Sequence, residues 1–306
     1  MMNNMLLYDE QKNFQNTPME NSFFHTVPLA SAMGAEIVGL NIADISDASF
    51  DALAAALYHH KMIYLRDQEL TYEMQENLTL RFGEFGTDAY TKGLEGHPNI
   101  QPVIKEADAK SKMVFGGGWH TDSPFLAQPP SVSLLYSVQI PPYGGDTIWY
   151  NSAMAYDNLS DVMKKMIAPL KVHMSGEKVV ASLNGLRQRS EDKQIGNMWD
   201  NIDEQAMIDG NFHPLVRTPP ETGETALFID KVYAKGFEGM SAYETAPLID
   251  FLVSHITQEV FSCRLRWSEK TLCLWDNRLV LHRAFNDYDG FRREMLRTTV
   301  KGETPA

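Results

Sequence analysis

One triplet in the chain has the makings of a metal site: His120-Thr121-Asp122, following Trp119, with His282 as a distant third donor. Two imidazoles and one carboxylate on one face of an ion are the donor set of mononuclear non-haem iron. They leave the opposite face open for a co-substrate and dioxygen, so the chemistry to expect is that of an oxygenase. A bare His-x-Asp triplet is a weak signal, because chance produces it and a surface turn then explains it. None of the eight other histidines is followed two residues later by Asp or Glu, so the triplet is unique within the chain.

Distant donors need a framework that brings them to one point. Residues 35–40 read as a short strand between glycines, followed by a helix that Ser46 caps and Ile45 staples onto Phe50. Phe50, Leu53 and Leu57 form its inner stripe, and it ends at His59-His60. Adjacent residues on a helix point in different directions, so this His pair is read as structural rather than as a ligand pair. Residues 62–65 read as a buried strand. Thr71 caps a second helix with Met74, Leu78 and Phe82 inward and Gly83 as its stop, and a loop is expected over 84–92.

Small polar and apolar residues alternate over 131–138, which predicts a half-buried strand. Pro141-Pro142-Tyr143-Gly144-Gly145-Asp146 is a turn, and a strand resumes over 147–149. Residues 152–167 read as helical, with Ser160 capping the second half. Residues 175–212 read as a long irregular segment, a candidate lid or insertion. Phe228-Ile229 suggests a strand. A further amphipathic helix begins near Pro247 and carries Leu248, Phe251, Leu252, His255 and Ile256, with His255 packing in the core. Strands are expected over 264–267, 271–275 and 295–300. No βαβ alternation, Gly-x-Gly-x-x-Gly or P-loop is present, so the expected architecture is mostly β, two packed sheets with flanking helices.

The chain's 306 residues, 43% hydrophobic and 22% charged, are those of a globular protein. Its net charge of −13 repels polyanions, which disfavours nucleic-acid or anionic-membrane partners. Cys263 and Cys273 are too few for a disulfide framework and are read as reduced core thiols. Neither a secretory signal nor an apolar run of membrane-spanning length is apparent, so a cytoplasmic location is expected. Residues 1–25 read as a poorly ordered lead-in, and 26–306 as a single domain.

Six segments, in order, resemble the taurine dioxygenase and 2,4-dichlorophenoxyacetate dioxygenase family of iron(II)- and 2-oxoglutarate-dependent enzymes. They are Gly34-Ala35-Glu36-Ile37; Leu65-Arg66-Asp67-Gln68 with Arg81-Phe82-Gly83-Glu84; Trp119-His120-Thr121-Asp122; Pro142-x-Gly144-Gly145-Asp146-Thr147; His213-Pro214-Leu215-Val216-Arg217-Thr218; and Trp275-Asp276-Asn277-Arg278 leading to His282. The resemblance spans roughly residues 26 to 300 and implies a double-stranded β-helix (jelly-roll) core. In such a core His-x-Asp would lie on an early strand and the third His on a late one, neighbours in space.

The resemblance implies that His120, Asp122 and His282 hold iron(II), that Arg293 pairs with the distal carboxylate of 2-oxoglutarate, and that Thr147 donates its hydroxyl to that carboxylate. Arg297 would meet an acidic group on the substrate. Arginine suits such roles because its fork matches a carboxylate in two parallel hydrogen bonds. Arg293 and Arg297 are an even number of residues apart, so on a strand both leave one face, while Arg292 points away. The implied reaction consumes dioxygen and 2-oxoglutarate, releases succinate and carbon dioxide, and hydroxylates a substrate C–H bond. Related halogenases lack the carboxylate that Asp122 supplies here.

The substrate end departs from the pattern. Taurine enzymes place a His shortly after the Arg-Phe-Gly-Glu turn to help hold the sulfonate; here that stretch reads Phe85-Gly86-Thr87-Asp88-Ala89-Tyr90. Asp88 would repel a sulfonate, which predicts taurine as a poor substrate and an amine-bearing acid as a better partner for Asp88 and Arg297 together. The expected assembly is a homo-oligomer acting on a small acidic molecule. Alternatives are a desaturation outcome of the same oxidation, a non-catalytic relative that senses an acidic metabolite, and a zinc hydrolase using the same donors.

Overall fold

The computed structural model describes residues 16–87, 89–109, 114–189 and 203–306. In chain order the strands of this part are β1 (His25–Pro28), β2 (Ala35–Val38), β3 (Met62–Leu65), β4 (Gln101–Lys105), β5 (Val132–Gln139), β6 (Thr147–Asn151), β7 (Lys171–Met174) and β8 (Asn211–Pro214). There follow β9 (Val216–Arg217), β10 (Ala226–Leu227), β11 (Ala234–Phe237), β12 (Ser262–Leu265), β13 (Leu272–Asp276), β14 (Val280–Ala284) and β15 (Arg293–Thr299). The largest sheet has the order β1-β2-β3-β13-β5-β15-β4. Its pairs are antiparallel except β2 with β3. A second sheet, β12-β6-β14, carries Thr147 and His282, and smaller sheets β11-β7-β8 and β10-β9 complete the set.

Side-chain alternation explains the layers, because successive residues of a strand face opposite sides. On β13, Leu272 and Leu274 join an outer apolar cluster, whereas Cys273 and Trp275 join an inner one. On β5, Val132, Leu134 and Tyr136 face outward with them, and Leu135 faces inward. The outer cluster is closed by Leu53 and Leu57 of helix α1 (Asp47–His60) and Leu78 of helix α2 (Tyr72–Phe82). The inner cluster gathers Trp149 of β6, Leu281 of β14 and Met295 of β15, so the two main sheets share it. Each fully buried leucine contributes roughly 2 kcal/mol.

The helix signals read from sequence reappear as geometry. The Ser46 and Thr71 hydroxyls accept the backbone N–H three residues on, and Lys61 ends α1 in a left-handed conformation. Ser160 caps Asp161–Ile167, after a first short helix over Ser152–Asp157. The helix expected near Pro247 begins earlier, at Ala242, where Ser241 and Glu244 form a capping box.

Three expectations are corrected. β5 is not half-buried: it lies between β13 and β15, and Ser133 and Ser137 are both fully buried. Its polar face therefore looks into the protein. The described parts of 175–212 are not irregular; they form helices Glu177–Arg189 and Glu204–Asp209, anchored by buried Val180, Leu183 and Met207. Residues 190–202 of that candidate lid lie outside the described residues. Phe228 and Ile229 are buried beyond the end of β10, with the Phe228 N–H on the Leu215 carbonyl, rather than in a strand. Of the expected lead-in, residues 1–15 also lie outside the described part, and Asn16 binds the carbonyls of Ala30 and Gly34.

Candidate metal centre

His120, Asp122 and His282 meet: their donor atoms lie within 4.8 Å of one another, and all three residues are buried. No other described group of three or more such residues does so. His282 comes from β14 at the edge of the second sheet. His120 is not on a regular strand, contrary to expectation. It is joined to His282 by a single antiparallel bridge, with N···O distances of 3.1 and 2.8 Å, and Thr121-Asp122 continue as loop. One local pairing thus sets two imidazoles side by side, their ring centroids 4.2 Å apart.

Asp122 Oδ1 lies 3.7 Å from His120 Nε2 and 3.8 Å from His282 Nε2. Asp122 Oδ2 accepts a 2.5 Å hydrogen bond from the Ser133 hydroxyl. The Gly118 carbonyl lies 2.8 Å from His120 Nδ1, so it takes a proton there and leaves Nε2 as the free lone pair. Burial lowers both imidazoles, His282 to about 3, helped there by the neighbouring His120. Burial alone would raise Asp122, but Arg297, the two imidazoles and the Ser133 hydroxyl together hold it below the usual carboxylate range. Neutral imidazoles and an ionised carboxylate are the protonation states a metal requires of its ligands.

A second group of side chains gathers Arg293, Trp267 and Thr147. Arg293 is 4% exposed, and its Nε and Nη2 have no hydrogen-bond partner. Its guanidinium carbon is 5.8 Å from the Trp267 ring, and the Trp267 indole N–H donates to Thr147 Oγ1 at 3.0 Å. Having accepted there, the Thr147 hydroxyl has its own hydrogen to give. The Gly144-Gly145 turn brings Thr147 here with both glycines at positive φ. A Cβ on Gly144 would come within 2.5 Å of the Asp287 carbonyl oxygen, so a side chain there is excluded.

Arg297 shares the inward face of β15 with Arg293 and Met295, as the even spacing predicts. Arg292 points away and pairs with Glu106 and Glu294. Arg297 Nη1 lies 3.3 Å from Asp122 Oδ1, and its guanidinium sits over the Phe115 ring at 4.8 Å. Tyr90 is in edge contact with Phe115 and Phe125, and its hydroxyl is hydrogen-bonded to that of Tyr233. Asp88, expected at the substrate end, lies outside the described residues.

His213 and His255 are buried on backbone carbonyls, those of Leu126 and Ala155. Sequence reasoning missed Ser133 and Asn277, whose carboxamide donates to the Ser133 hydroxyl at 2.8 Å. It also missed Asp230, which accepts the N–H groups of Val232 and Tyr233, and which burial pushes up to about 7. The serines of β5 were visible as a polar alternation, but nothing in it said that they face donors rather than water.

Known proteins resemble this chain over nearly its whole length. Residues 25–299 match the family described as taurine catabolism dioxygenase TauD, TfdA family. The alpha-ketoglutarate-dependent sulfate ester dioxygenase of Pseudomonas putida is 30% identical over 288 residues, covering 91% of this chain and 89% of that protein. The (S)-phenoxypropionate/alpha-ketoglutarate-dioxygenase of Sphingobium herbicidovorans is 28% identical over 271 residues, covering 85% and 89% respectively. The crystal structure of a taurine dioxygenase from Burkholderia xenovorans superposes with a TM-score of 0.74 at 28% identity, covering 93% of this chain and 91% of that one. That of AAD-2, in complex with Mn(II) and N-oxalylglycine, does so with a TM-score of 0.73 at 25% identity, covering 94% and 99%.

Proposed function

Because the chain belongs to the TauD/TfdA family of iron(II)- and 2-oxoglutarate-dependent dioxygenases, we propose that it hydroxylates a small acidic substrate at a centre built from His120, Asp122 and His282. The observation that carries this reading is the convergence of those three donors, buried and in ligand-ready protonation states. With 2-oxoglutarate and dioxygen, iron(II) supplies the oxidant for a C–H bond, and 2-oxoglutarate leaves as succinate and carbon dioxide. Everything else is done by the protein's own groups.

In this reading the Arg293 fork takes the distal carboxylate of 2-oxoglutarate and Thr147 adds a hydroxyl hydrogen bond. A buried cation with free N–H groups supports that role, since it is costly to keep unless an anion answers it. Arg297 meets the acidic group of the substrate, and Tyr90, Phe115, Phe125 and Tyr233 wall the space beside it and exclude water. The named relatives act on sulfate esters and phenoxypropionates, anions with an apolar body. An acid of that kind fits an arginine set against aromatic rings. We read the strands that carry Thr147, His282, Arg293 and Arg297 as part of a jelly-roll core.

The test is substrate-stimulated succinate formation across a panel of alkyl sulfates, sulfonates including taurine, aryloxypropionates and amino acids. We expect one class of acid to stimulate turnover, its product heavier by one oxygen, and His120→Ala to form no succinate. Succinate production retained in His120→Ala, or no absorption band on anaerobic addition of ferrous iron and 2-oxoglutarate, would refute the reading.

A further inference from the structure

Resting on that reading of His120, Asp122 and His282, we propose that Trp275, Asn277 and Ser133 form a one-way hydrogen-bond relay that decides which oxygen of Asp122 is offered to the metal. The direction is set at one end. An indole N–H can only donate, and Trp275 Nε1 donates to Asn277 Oδ1 at 2.8 Å. That contact orients the carboxamide, so its NH2 group must face Ser133, and Nδ2 donates to Ser133 Oγ at 2.8 Å. Having accepted, the serine hydroxyl sends its own hydrogen to Asp122 Oδ2 at 2.5 Å. Oδ2 is thereby engaged, and Oδ1 is the oxygen left near both imidazole Nε2 atoms, at 3.7 and 3.8 Å.

The relay is shielded and anchored. Trp275, Asn277, Ser133 and Asp122 are each at most 3% exposed, so water does not compete for the hydrogens. Asn277 also holds the backbone on two sides. Its N–H donates to the Ser131 carbonyl at 2.8 Å, at the start of β5, and its carbonyl accepts from Thr121 Oγ1 at 2.8 Å, between two of the donors. The Trp275 ring lies 4.9 Å from the His282 ring, so the residue that begins the relay also touches the third donor. Without the relay the Asp122 carboxylate is free to rotate and to present Oδ2 to the metal, or both oxygens to Arg297. Ser133 and Asn277 are positioning residues. They touch neither substrate nor metal and act through Asp122.

Anaerobic titration of the full-length chain with Co(II), followed by its visible absorption bands, tests this without turnover. Ser133→Ala removes the last donor. Asn277→Asp keeps the shape but puts an acceptor oxygen toward Ser133, so the hydroxyl hydrogen is drawn away from Asp122. Both variants should bind Co(II) about 10- to 100-fold more weakly, as expected for loss of a hydrogen bond that orients a metal ligand. Their band positions should shift, and far-UV circular dichroism should show that the metal-free variants keep the fold. Ser133→Thr, which keeps the hydroxyl, should recover affinity. Wild-type Co(II) binding in both Ser133→Ala and Asn277→Asp would overturn the relay, as would equal losses in Ser133→Ala and Ser133→Thr, which would trace the effect to packing. If His120→Ala also bound Co(II) like the wild type, the metal-site reading itself would fall; if it did not, only the relay would.

Discussion

Arg293 shows how much a single side chain can cost the empty protein. Its guanidinium is buried, two of its nitrogens lack partners, and burial lowers its affinity for the proton. Replacing a buried, unanswered charge by an apolar group of similar volume removes that cost. Arg293→Met should therefore stabilise the ligand-free protein by about 1–4 kcal/mol in urea denaturation while destroying 2-oxoglutarate binding. Arg293→Lys keeps the charge but loses the fork. Its KM for 2-oxoglutarate should rise about 10- to 100-fold, with kcat at saturation less affected. A destabilised Arg293→Met protein would mean that the guanidinium has partners in solution. Candidates of this kind could be named from the sequence, because few residue types can ligate iron or grip a carboxylate, and the family resemblance pointed to them. Ser133 and Asn277 were not legible. A serine or an asparagine can spend its hydrogen bond in many ways, and only the approach of β13 to β5 turns theirs toward Asp122.

The helices were the more readable elements, since their ends carry local chemistry: Ser46, Thr71 and Ser160 each accept the N–H their position predicts. Ser46→Ala should cost about 1 kcal/mol, measured by chemical denaturation. Strand pairing is non-local. β4, β7, β8 and β11 escaped notice because four or five residues hold too little periodicity, and their partners lie far away in sequence. The burial of β5 was misjudged because alternation says that a strand has two unlike faces, not that the polar one meets water. The end of α1 adds a pH dependence. Buried His60 has Nδ1 on Asn16 Oδ1 at 2.5 Å and Nε2 on Thr26 Oγ1 at 3.0 Å, and burial lowers its pKa to about 4 from an ordinary 6.5. Between those values the unfolded chain binds the proton and the folded chain does not. The contribution is complete above the unfolded value and is lost as the pH falls toward about 4. From about pH 7 to about pH 5 it should amount to about 2 kcal/mol. Urea midpoints at the two pH values should show a smaller drop for His60→Gln than for the wild type; equal drops would place His60 outside the effect.

At the scale of the whole molecule, the net charge of −13 opposes the approach of a dianion such as 2-oxoglutarate, so its affinity must come from short-range contacts. The three candidate metal donors and Arg293, proposed for the anion, are separate groups on separate elements: His282 on β14, His120 and Asp122 on the bridge and loop beside it, Arg293 on β15. Each ligand should therefore stabilise the fold through its own groups. A ligand at a hundredfold excess over its Kd adds about 2.7 kcal/mol to folding stability. Unfolding should thus shift upward with Mn(II), and further when 2-oxoglutarate is added. Two variants should divide these shifts in opposite ways. His120→Ala should lose the Mn(II) increment yet keep whatever 2-oxoglutarate contributes alone through Arg293, while Arg293→Met should keep the Mn(II) increment and lose the second. Denaturation curves for the three proteins under four ligand conditions would measure this crossed pattern. If Arg293→Met lost the Mn(II) increment as well, the two groups would form one cooperative unit, and the division of labour between the sheets would have to be abandoned.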